Sequence, residues 1–165
     1  MDVEFQQRPA LGCELVAEVV RRFGGVRLKV TGGSMLPAIW PGDVITVRCR
    51  DLTALQPGQV VLYRREVMLV PHRITRIRGG VLTTRGDSVR HDDPPIGEAD
   101  LVGQVVFVEH NGRCRELKQT CWQRMGSFVF RRSDFCRRMA LSLSRRLRRP
   151  RSFCSKAWRY CGRAS

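Results

Sequence analysis

Apolar positions between residues 10 and 23 recur at three- and four-residue steps, at Leu11, Leu15, Val16, Val19, Val20 and Phe23. That period predicts an amphipathic helix, and the Gly24-Gly25 pair ends it. Beyond the glycines the pattern changes to alternation or short apolar runs: VRLKV (26–30), DVITVRC (43–49), QVVLYRR (59–65), VMLVPHRITRI (67–77), VLTTRG (81–86) and LVGQVVFVEH (101–110). Pro41-Gly42, Pro57-Gly58 and Gly79-Gly80 separate several of these runs, as turns do. Strands without interleaved helices predict a mainly β, antiparallel domain with one helix in front.

From residue 113 the pattern changes again. Phe135, Met139, Leu143 and Leu147 form a stripe at four-residue spacing, preceded by Ser133-Asp134, flanked by arginine pairs and stopped by Pro150. This predicts a basic amphipathic helix. The chain thus divides into an N-terminal helix (1–25), a β-domain (26–112) and a basic helical tail (113–165). Charge sharpens that division. Residues 113–165 hold 16 Lys/Arg against Glu116 and Asp134, while residues 1–112 hold 14 basic against 13 acidic side chains.

At 165 residues the chain suits one core plus an appendage. Its seven cysteines are odd in number and form no C-x-x-C pair, so neither a full disulfide framework nor a structural metal is expected. Reduced thiols in a cytoplasm are the simpler reading. The N-terminus fits no secretory signal peptide, and no uncharged apolar run reaches the roughly 20 residues of a membrane-crossing helix. A soluble protein, at most peripheral to a membrane, is expected.

Three stretches carry candidate chemistry. In TGGSMLPAIWPGD (31–43), Ser34 follows two glycines, where backbone N–H groups are least obstructed, and Pro37 stiffens what comes next. In VMLVPHRITRI, His72 sits among apolar strand residues. In TTRGDSVRHDDPPI (83–96), Asp87, Asp92 and Asp93 crowd one loop. Taken singly these read as an ordinary turn, a packed histidine and solvated turn formers.

Taken in order they resemble a family. GGSMLPAIWPGDVITV is similar to the nucleophile box of the type I signal peptidases and the related repressor autoproteases, PGQVVLYR to their next strand, VPHRITRI to the segment bearing the general base, and TTRGDSVRHDDPPI to their Gly-Asp box with its acidic pair. The His72-Arg73-Ile74 context resembles the branch that uses histidine as base; the chain's lysines, Lys29, Lys118 and Lys156, lie outside that box.

The resemblance implies Ser34 as nucleophile, His72 as general base and Asp93 as the carboxylate orienting the imidazole. Asp87, Asp92, Gly33, Met35 and Pro37 would support the site, with the amides of Ser34 and Gly33 as oxyanion donors. It implies peptide-bond hydrolysis of a peptide or protein substrate, without cofactor or metal.

The chain departs from the family in three respects. Gly32 stands where many relatives have Ser or Thr, Gln59 where Asp is common, and no transmembrane anchor is seen. The tail would serve instead by adhering to an anionic membrane surface, with Trp122, Phe128, Phe130 and Trp158 as interfacial aromatics. The alternative reading is a nucleic-acid-binding regulator whose peptidase-like domain is self-cleaving or inactive, disfavoured because about 25 residues before the β-domain hold no recognisable helix-turn-helix. A catalytically dead scaffold is a third.

Overall fold

The computed structural model describes residues 3–117, with side chains from Leu11 onward. The expected basic helix and the four tail aromatics lie outside the described residues.

Helix α1 spans Val3–Phe23, starting well before the periodic apolar stretch. Gly24, at φ 73°, turns the chain out of it, a left-handed conformation that glycine adopts without strain. The docked face differs from the expected stripe. Cys13 and Val20 are buried and Val16 and Ala17 pack beside them, whereas Leu11, Leu15 and Phe23 are 61%, 65% and 76% exposed. Positions 13, 16, 17 and 20 share one side of a 3.6-residue helix, and 11 and 15 lie off it. Full burial of Val20 alone contributes about 1.5–3 kcal/mol.

The strands are β1 (Gly25–Lys29), β2 (Val44–Arg48), β3 (Val60–Arg65), β4 (Met68–Arg78), β5 (Val81–Arg85), β6 (Leu101–His110) and β7 (Arg113–Glu116). They form one seven-stranded sheet in the order β1-β2-β6-β3-β4-β5, with β7 paired to β6, and every pairing is antiparallel. The first six match the strands read from the sequence. The seventh extends the sheet past residue 112, where the change in composition suggested the tail begins. One-turn 3-10 helices occur at Leu52–Ala54 and Glu98–Asp100. Gly79 and Gly80, both at positive φ, form the two-residue β4–β5 turn whose twist suits an antiparallel hairpin.

Alternation along β3 separates two apolar clusters. Val60 and Leu62 join the first, with Val20, Met35, Ile39, Ile45, Val47 and Val105. Val61 and Tyr63 join the second, with Leu52, Leu55, Ile74, Leu82 and Ile96. Successive strand residues point to opposite faces, so one strand serves both cores. Helix α1 covers the first.

Candidate active site

The segment from Thr31 to Gly42 is an excursion between β1 and β2, closed at its base by Val30 N–H to Asp43 O (2.8 Å) and Gly42 N–H to Val30 O (2.6 Å). Its interior is pinned by apolar burial: Met35, Leu36, Ala38 and Ile39 are at most 3% exposed, and Ile39 N–H reaches Met35 O at 2.9 Å. Asp43, itself buried, accepts the Trp40 amide at 2.8 Å. The Ser-Met-x-Pro run therefore has a physical purpose: the residues after Ser34 are driven into the first core, while Ser34 stays at its edge.

His72 comes from the other core. On β4 it pairs with Val61 of β3, and the register places it on the face shared by Tyr63, Ile74 and, across the next pairing, Thr84. Asp93 lies beyond β5 and is held by its own amide, which donates to Thr84 O at 2.8 Å.

These three side chains meet. His72 Nε2 lies 2.9 Å from Ser34 Oγ, and His72 Nδ1 lies 2.6 Å from Asp93 Oδ2. Thr84 Oγ1 donates to the same Asp93 oxygen at 2.8 Å, and Arg65 stands 3.6 Å from the other. The His72 and Asp93 side chains are 9% and 10% exposed, so their interaction is weakly screened. Tyr63 packs edge-on to the His72 ring, with centroids 6.2 Å apart. Burial raises its phenol pKa above the ordinary value, which keeps it neutral beside Asp93.

The supporting residues divide. Asp87 is 4% exposed and takes a two-pronged contact from Arg73, Nε at 2.8 Å and Nη2 at 2.7 Å, while Arg73 Nη1 also donates to Gly58 O. Asp87 thus braces the loop through Arg73. Asp92 faces Arg85 at 3.4 Å and is not part of the Ser34–His72–Asp93 chain. The Gly33 carbonyl accepts the Ser88 hydroxyl, Met35 is a core anchor, and Pro37 follows a cis peptide bond. Gln59 closes the turn before β3 through its side-chain oxygen, 2.9 Å from the Gln56 amide.

Several contributors escaped the sequence reading. Ser88 grips the backbone at Ser34: its amide donates to Ser34 O at 2.9 Å, and its hydroxyl lies 3.0 Å from Gly33 O and 2.9 Å from Ser34 O. A Cβ at Gly86 would fall 2.7 Å from Ser34 O and 3.0 Å from His72 Nε2, so the approach of the two halves requires glycine there. Thr84 was discoverable in principle, since alternation in VLTTR puts Leu82 and Thr84 on one face. Nothing in the sequence distinguishes Ser88 from an ordinary loop serine.

Among the described residues no group of three or more His, Cys, Asp or Glu is arranged to hold a metal ion, and no helix is long and apolar enough to cross a membrane. No family model matches this chain, and no curated protein matches it significantly.

Proposed function

We propose that this chain is a serine endopeptidase of the signal peptidase type, hydrolysing peptide bonds through an acyl-enzyme on Ser34. The observation that carries this reading is the continuous Ser34–His72–Asp93 chain, at 2.9 and 2.6 Å. An ionised Asp93 has no proton to donate, so the imidazole proton sits on Nδ1 and Nε2 is left to accept from the Ser34 hydroxyl.

Attack then forms a bond from Ser34 Oγ to the scissile carbonyl carbon as the serine proton passes to His72 Nε2. The resulting imidazolium is stabilised by Asp93, and its Nε2 proton goes to the leaving amine as the C–N bond breaks. Water next attacks the acyl carbon, gives its proton to Nε2, and Ser34 Oγ departs with that proton. The amides of Gly33 and Ser34 donate to no backbone acceptor among the described residues, which leaves them available to the oxyanion. The substrate is a peptide or protein, bound extended, with small side chains near the cleavage point as the resemblance implies.

The test is hydrolysis of an extended peptide library by the parent and by Ser34→Ala, scanned from pH 5 to 9. The expected result is cleavage by the parent that falls by on the order of 10⁴-fold or more in the variant. Equal rates for the two proteins would overturn the proposal.

A further inference from the structure

A groove of about 980 Å³ runs between α1, the segment after β2 and the Glu98–Asp100 turn, and none of Ser34, His72 or Asp93 lines it. Its apolar wall includes Leu11 and Leu15, which the helix turns away from the core and leaves 61% and 65% exposed. Its charged lining is inverted relative to the chain: five carboxylates, Glu14, Glu18, Asp51, Glu98 and Asp100, against three guanidiniums. Two of those guanidiniums are already engaged, Arg64 between Glu14 and Asp100 at 3.9 and 3.7 Å and Arg21 with Glu18 at 3.1 Å. Asp51 and Glu98 face no cation within ion-pair distance among the described residues.

We infer that this groove is the dock for the chain's own arginine-rich segment, residues 131–149. Three features select that occupant. Residues 131–149 hold eight arginines against Asp134 alone, so an acidic groove and a basic segment belong to one molecule. The segment's stripe of Phe135, Met139, Leu143 and Leu147 between arginine pairs matches two exposed leucines between carboxylates. The described chain also ends on the strand that borders the groove: β7 pairs with β6, Leu117 N–H bonds to Val106 O, and Leu101 and Val102 at the start of β6 line the groove.

A connection of the length of residues 118–130 can reach up to roughly 3.3 Å per residue. Tethering supplies an effective concentration in the millimolar range, which favours the chain's own segment over a second copy at micromolar protein. The inference does not depend on the peptidase reading.

The groove contains its own reporter. Cys49 lines it and is exposed, and Cys121, Cys136, Cys154 and Cys161 follow Leu117. The full chain at low micromolar concentration is treated with diamide, which takes two electrons and two protons from a pair of thiols as their disulfide forms, and the products are mapped by peptide mass spectrometry.

The expected result is an intrachain disulfide from Cys49, with Cys136 the preferred partner. Its rate should fall about tenfold when Asp51 and Glu98 are both changed to Lys, and fall likewise for the parent in 1 M salt, where screening acts within about 3 Å. A Cys49 that stays reduced, or pairs between chains, or pairs at a rate indifferent to both the substitutions and salt, would overturn the inference.

Discussion

Among the described residues two imidazole–carboxylate pairs have nearly identical geometry. His72 Nδ1 meets Asp93 Oδ2 at 2.6 Å, and His110 Nδ1 meets Asp43 Oδ1 at 2.6 Å. What differs is the far nitrogen. His72 Nε2 faces the Ser34 hydroxyl from a side chain 9% exposed, while His110 Nε2 faces the Asn111 side chain at 3.0 Å from one 42% exposed. A carboxylate can orient any histidine; chemistry needs a nucleophile on the other side and a site that excludes water. The His110 pair instead holds the turn that follows the Ser34 segment, since Asp43 also caps the Trp40 amide.

The contrast is sharpest when each histidine is removed. His72→Ala should abolish peptide hydrolysis, by on the order of 10⁴-fold or more. His110→Ala should leave the rate within about threefold, because its loss at an exposed position falls on stability. Steady-state rates for the two purified variants, side by side, decide it.

The carboxylates come next. Asp93→Asn should cost on the order of 10³ to 10⁴-fold in kcat with modest loss of stability, because the imidazole loses the partner that sets its tautomer. Asp43→Asn should chiefly lower the unfolding free energy, by about 1–3 kcal/mol, since a buried acceptor for both the Trp40 amide and the His110 ring is replaced. Denaturant titration beside kinetics separates the two. If Asp43→Asn proved as damaging to kcat as Asp93→Asn, the assignment of roles would fail.

Gly86→Ala tests whether contact between the two halves matters as much as the side chains themselves. The added methyl would meet Ser34 O and His72 Nε2, so activity should fall by roughly 10²-fold, as displacements of about 1 Å do. The reciprocal change Gly32→Ala, at a position with open space around it, should do far less.

The smallest effect is in alkali. Folding favours the neutral phenol of buried Tyr63, so its ionisation begins in the unfolded chain at lower pH than in the folded one. Stability therefore declines as pH rises above about 10, and Tyr63→Phe removes that part of the decline. Thermal melts at pH 9 and 11 measure it.

Much of this architecture was legible because burial leaves periodic traces. Six strands followed from alternation, and the turn at Gly79-Gly80 from the residues that tolerate positive φ. The RCRE strand left no such trace: it is an edge strand with charged, exposed positions, formed by pairing with β6. Helix α1 was legible as a helix but not as to which side docks, because Leu11 and Leu15 satisfy the same period as Val16 and Val20. The choice depends on the sheet beneath.

Ser34, His72 and Asp93 are separated by 38 and 21 residues, and their juxtaposition follows from register and loop closure that no local pattern carries. The resemblance supplied the candidates. It put Asp93 ahead of Asp92 as the orienting carboxylate, but did not carry the bond of the Asp93 amide to Thr84 O that ties this residue to β5.

Ser34 is anchored through Met35 and Ile39 in the first apolar cluster, whereas His72 lies beside Ile74 of the second. The contact between them therefore straddles a fault line, and Ser88 acts as a rivet across it through its two bonds to Ser34 O. Loosening of one block against the other lengthens the serine–histidine contact while the histidine–aspartate contact, lying within one block, survives. Warming should then silence the proposed peptide hydrolysis some degrees before the protein melts, and weakening the rivet with Ser88→Ala should widen that gap.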